Sequence, residues 1–77
     1  MSAVTSYITF GKDRYHQHQE MEKWCHENIG YGSWTWTTPE SWEDMNNKIW
    51  VMHSTFGHTT FAFREAKHLA WFTLRWA

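Results

Sequence analysis

The sequence predicts an α+β fold, a two-layer sandwich in the order β-α-β-β-β-α, with a mainly antiparallel sheet and two helices on one face. Three observations carry this. Four short stretches alternate in the period-two manner of strands and are rich in β-branched and aromatic residues. Two longer stretches place apolar residues at i, i+3 and i+4, the period of a half-buried helix. The last two strand stretches are separated only by a short segment containing Gly57, the chemistry of a hairpin. The arrangement is ferredoxin-like in spirit, without the final strand of that order.

Residues 4–10 form the first strand, with Val4, Ser6, Ile8 and Phe10 on one side and Thr5, Tyr7 and Thr9 on the other. Gly11 and Lys12 end it. Asp13 is placed to cap a helix running to about Asn28, with Gly30 just beyond it, where a left-handed residue is wanted. Its inward stripe reads His18, Met21, Cys25 and Ile29, flanked by Trp24 and Tyr15. Residues 33–38 form the second strand, with Trp34 and Trp36 on one face, and Pro39 stops it. Residues 41–47 are polar and suit one short helical turn, with Trp42 folded back onto the domain.

Residues 48–54 and 58–64 form the hairpin, and the turn decides the register. A three-residue loop, Thr55-Phe56-Gly57, sets Ile49 and Val51 on the face of Phe61 and Phe63 and turns Trp50 and Met52 to the opposite face. A four-residue loop puts Trp50 and Met52 beside those phenylalanines instead. The three-residue loop is preferred, because it makes Gly57 the left-handed residue. Residues 65–76 form the second helix. Ala66, Leu69, Ala70, Thr73 and Ala77 share one face, Phe72 and Trp76 take one flank and Leu74 the other, and Lys67, Trp71 and Arg75 lie opposite.

Composition narrows the function. The chain of 77 residues, read as a single domain over 1–77, holds seven Trp, five Phe and three Tyr, so its core is aromatic rather than aliphatic. Seven Lys and Arg against eight Asp and Glu make no basic field of the kind that draws phosphate backbones. No apolar run approaches the length of a membrane span, and residues 1–5 lack the pattern of a secretory signal. A lone Cys25 cannot form an internal disulfide, which favours a reducing cytoplasm.

No constellation points to an enzyme or to a cofactor. His16 and His18 stand two apart on a helix, about 200° around the axis, and cannot face one metal ion together. Cys25 is on the inward stripe, where a thiol behaves as a small hydrophobe, and its neighbour His26 points elsewhere. The reading is therefore a non-enzymatic interaction module that self-associates or docks on a partner protein through exposed aromatics. Its candidate contact residues are Trp50, Met52, Trp71, Tyr7, Phe56 and Arg75. The alternative is a nucleotide or single-stranded nucleic-acid binder that stacks bases on Trp50, Tyr7 and Trp34 across an open sheet face.

The C-terminal stretch runs Phe61-Ala62-Phe63-Arg64 and then through Ala70 to Trp71-Phe72-Thr73-Leu74-Arg75-Trp76. It resembles the ending of many small uncharacterised tailed-phage proteins, in which a Phe-x-Phe-(Lys/Arg) strand enters an acidic turn and a helix closing on Phe-x-Leu-(Lys/Arg)-Trp. The resemblance is one of strand-helix packing and brings no catalytic residue. It implies a phage-encoded product acting in a host cytoplasm, where such proteins bind or inhibit a host protein.

Overall fold

The computed structural model describes residues 4–35, 40–41, 47–55 and 57–77. Strand β1 (Tyr7–Gly11) leads through a 3₁₀ segment (Lys12–Gln17) into helix α1 (His18–Asn28). Strands β2 (Gly32–Trp34), β3 (Trp50–Thr55) and β4 (His58–Phe63) follow, and helix α2 (Ala66–Trp76) closes the order. The strands make one sheet in the order β1-β4-β3-β2. The fold is α+β, as the sequence predicts, with both helices packed on one face. The short turn predicted over 41–47, Trp36 and Trp42 lie largely or wholly outside the described residues.

The sheet is mixed. β4 runs antiparallel to both β1 and β3, but β2 runs parallel to β3, with Gly32 opposite Trp50 and Trp34 opposite Met52. Residues 35–49 join that parallel pair, a connection long enough for the crossover that a parallel neighbour requires. The strands that come first in the chain, β1 and β2, therefore sit at opposite edges, with the hairpin between them.

The hairpin takes neither of the two expected registers. Thr55 pairs with His58, Met52 with Phe61 and Trp50 with Phe63, so residues 56 and 57 alone separate the strands. Gly57 still takes a left-handed φ of 77°. The face assignment follows the four-residue alternative: Trp50 and Met52 lie with Phe61 and Phe63 against the helices, and Val51 and Ala62 face the other way. Side-chain volume decides this. Each ring that leaves water buries about 150–250 Å², several kcal/mol of transfer free energy, which Ile49 and Val51 cannot match. A one-residue slip would move the whole set to the wrong face.

The core between sheet and helices joins Phe10, Met21, Cys25, Trp50, Met52, Phe61, Phe63, Phe72 and Trp76. Phe72 is its hub, with ring centroids 4.8 Å from Phe61, 5.2 Å from Phe63, and 5.9 Å from both Phe10 and Trp24. Trp50 is seated by three neighbours. Its indole Nε1 donates to the Gly30 carbonyl at 2.9 Å, and the His26 ring meets it edge-on at 5.0 Å. Gly32 supplies the third: a Cβ at that position would overlap the Trp50 carbonyl oxygen and the indole atoms Cδ2 and Cε2. Only a residue without a side chain lets β2 lie against that ring.

The inner stripe of α1 is Met21 and Cys25, both buried, with Trp24 and Ile29 packed beside them. The stripe of α2 differs from expectation. His68, Phe72 and Trp76 point inward and Leu69 is partly buried, whereas Ala66 and Ala70 are exposed. The helix is rotated so that its two large rings, rather than its alanines, enter the core. Its C-terminal end is held from across the molecule, because the Arg14 guanidinium donates to the Trp76 carbonyl. A cation there satisfies one of the free carbonyls and complements the helix dipole.

Candidate protein-interaction face

The second face of the sheet is not the open aromatic platform the sequence suggests. Trp50 is 0% exposed and Met52 is also buried, so neither is available to a partner, and their place as contact residues is corrected. Trp34 shares the helix-side face with Met52 through β2–β3 pairing and cannot stack beside Tyr7. On the second face Val51 and Ala62 are themselves buried, with Val4 packed over them, and the Val4 N–H donates to the Glu40 carbonyl at 3.4 Å. Tyr7, 55% exposed, stands on that face at the β1 edge, beside the Thr9–Thr60 hydroxyl contact of 2.9 Å. Phe56 lies outside the described residues.

The remaining candidates converge on the outer side of α2. Because His68, Phe72 and Trp76 recur every fourth residue, Lys67, Ala70 and Leu74 are carried to the opposite side of the helix. Leu74 is 87% exposed, and Trp71, on the flank of the same side, is 48% exposed. The Trp71 ring is steadied by an oblique contact with His68, centroid to centroid 5.3 Å. Arg75 lays its guanidinium 4.1 Å from the centre of the Trp76 ring, on the flank between the buried and the outer side of the helix. At the start of the helix Glu65 stands 3.8 Å from both Lys67 Nζ and His68 Nδ1, too far for a hydrogen bond to either.

Trp71 and Arg75 were legible as surface residues because they fall opposite the stripe drawn through Ala66, Leu69, Ala70 and Thr73, although they flank the stripe that is buried. Leu74 was not, since counting alanines as core placed it on a flank. A helical wheel centred on Phe72 and Trp76 would have found it. Tyr31 and Trp34 add exposed rings beside the β2 edge, away from α2.

The polar groups offer little chemistry. Among the described residues no three His, Cys, Asp or Glu side chains gather closely enough to hold a metal ion. Burial, with a smaller contribution from the Glu22 carboxylate, pushes the Cys25 thiol from 9.0 up to about 12, so it stays protonated and unreactive at neutral pH. His68 Nδ1 and Trp76 Nε1 are buried without a hydrogen-bond partner. Both belong to the buried side of α2, with His68 Nδ1 turned toward the Glu65 carboxylate at 3.8 Å. No helix of the described residues is long and apolar enough to cross a membrane. Compared with protein-family models, with curated proteins and with solved structures, the chain matches none.

Proposed function

We propose that the protein is a non-catalytic interaction module that docks on another protein through the outer side of α2. The observation that carries this reading is Leu74, an aliphatic side chain almost fully in water, next to the half-exposed ring of Trp71. An apolar pair in the middle of an exposed helix face, bordered by Lys67 and Arg75, has the composition of an interface centre with a charged rim. The resemblance of the β4–α2 segment to small tailed-phage proteins supports the further expectation that the setting is a bacterial cytoplasm and the partner a host protein. No converging acid, base or nucleophile competes with this reading among the described residues.

The test compares wild-type protein with Trp71→Ala and Leu74→Glu as baits in a bacterial lysate, with light scattering on the purified proteins alongside. Loss of the same bound protein, or of a larger species, in both variants supports the reading. If both variants keep every partner and the same mass as wild type, the reading fails. Quenching of tryptophan fluorescence by oligonucleotides, relieved by salt, would instead favour nucleic acid.

A further inference from the structure

We infer that the first turn of α2 is a proton-operated clamp: when His68 takes up a proton, the Glu65 carboxylate closes on its Nδ1, and the Trp71 ring is fixed against the imidazole. This rests on the reading of α2 as the docking face and names its regulation.

An unmet polar atom carries this. His68 is buried, and its Nδ1 has no hydrogen-bond partner, a state that buried polar atoms rarely keep. The Glu65 carboxylate oxygen Oε2 stops 3.8 Å short of it, about 1 Å beyond a charge-assisted hydrogen bond. That gap suits a neutral imidazole whose Nδ1 carries a lone pair, because a lone pair and a carboxylate oxygen repel. A second proton reverses the relation. Nδ1 becomes a donor, and the carboxylate has only about 1 Å to travel. Nothing in the helix start holds it back. The Glu65 side chain is half-exposed and makes no cap hydrogen bond, while its backbone carbonyl is fixed by the His68 and Leu69 N–H groups at 3.1 and 3.4 Å. Lys67 Nζ, also 3.8 Å away, is exposed and competes weakly.

The surroundings leave this task to Glu65. α2 packs on β1 and β4, which turn Ile8, Phe10, Thr59, Phe61 and Phe63 toward the helices, and none of these ionises. α1 meets α2 at the Trp24–Phe72 contact; its Glu20, Lys23 and Glu27 are exposed, and Glu22 lies beside Cys25. Arg64, just before the helix, sends its Nε to the Lys48 carbonyl, and Arg14 stands at the far end on the Trp76 carbonyl. Burial and the positive end of the helix dipole both oppose a cation in this turn. The proton is therefore held when Glu65 closes, which couples the two events. Trp71 reads the change, because its half-exposed ring stands 5.3 Å from the imidazole and a cation attracts an indole. Acid thus fixes a ring of the docking face that is looser above neutrality.

Heteronuclear NMR on the whole chain between about pH 8 and pH 5, where imidazoles change charge, tests this. In wild type the Trp71 indole N–H signal should move across that interval. The His68 and Leu69 amides should gain several-fold protection from hydrogen exchange on the acid side, after correction for the pH dependence of exchange itself. Glu65→Gln, a change at a half-exposed side chain, should abolish both responses with the fold intact by circular dichroism. His68→Gln should do the same. A Trp71 signal that stays fixed across the interval, or responses of wild-type size in Glu65→Gln, would overturn the inference. These readouts need no partner, so their failure leaves the docking face standing. If they succeed while Trp71→Ala and Leu74→Glu keep every bound protein, the clamp stands and the docking face is wrong.

Discussion

The two helices have equal length, 11 residues each, and lie in the same layer over the same sheet face, yet their outer sides are opposites. α1 shows water Gln19, Glu20, Lys23, His26 and Glu27. α2 shows it Ala70, Trp71 and Leu74 between Lys67 and Arg75. Both satisfy the core from one narrow stripe, Met21 and Cys25 in one case and His68, Phe72 and Trp76 in the other. The difference is that α2 fills the core with rings and has apolar residues left over. A helix that needs only solvation carries polar residues where α2 carries Trp71 and Leu74. Surplus of this kind is what the proposed docking on another protein would cover.

The largest effect that can break the comparison belongs to the inner side of α2. Phe72→Ala removes the ring that touches Phe10, Trp24, Phe61 and Phe63, and should cost about 3–5 kcal/mol in urea unfolding. A cost near that of a surface change would mean that the two sides of α2 have been exchanged. Gly32→Ala should cost about 2–3 kcal/mol by driving a Cβ into Trp50, and the displaced indole should be visible in near-ultraviolet circular dichroism.

The inner side of α1 is tested by pH. The folded state holds the Cys25 thiol at about 12, above its ordinary 9.0, so folding favours the protonated form. That contribution is complete below about pH 9 and is lost as pH rises toward 12. Urea midpoints should therefore fall over this alkaline range, and Cys25→Ala should flatten part of the fall. An unchanged slope in the variant would show that the thiol is not held in the dry layer under α1.

Smaller effects separate the ends and the outer side of α2. Arg14→Met keeps the stem of the side chain but removes the cation at the Trp76 carbonyl, at a cost of about 1 kcal/mol. Hydrogen exchange should quicken in the last turn of α2 and leave α1 unchanged. Leu74→Glu should alter stability by no more than about 0.5 kcal/mol in urea unfolding. A larger loss would place Leu74 in the monomer's own packing and remove the contrast with α1.

Much of the architecture can be read from local pattern. The inner stripe of α1 follows from Met21 and Cys25 four residues apart, and strand alternation finds the edge strand β1 and the hairpin. Partner choice is less local. Nothing in residues 32–34 states that β2 will lie parallel to β3. That depends on the length of the 35–49 connection and on Gly32 clearing the Trp50 ring. The hairpin register eluded turn chemistry because Gly57 suits connections of several lengths. The parity was set by where Trp50, Met52, Phe61 and Phe63 could be buried together. The same weighting by volume separates α2's real stripe from the one drawn through its alanines. For the candidate face, Trp71 and Arg75 were readable as exposed from the stripe drawn through the alanines, Leu74 only from the stripe that is buried, and Trp50 and Met52 were lost with the register.

The strand order also governs how the chain can fold as it is made. Among the described residues β1 pairs with β4 and β2 with β3, so both early strands need residues 50–63. Until then the first half of the chain has one helix and two strands with no sheet to join. The hairpin is the most local pairing in the sheet, the kind that closes quickly, whereas β1 must pair across about 50 residues. Completion of the sheet therefore waits for residues 50–63, which carry the pairing partners of both early strands.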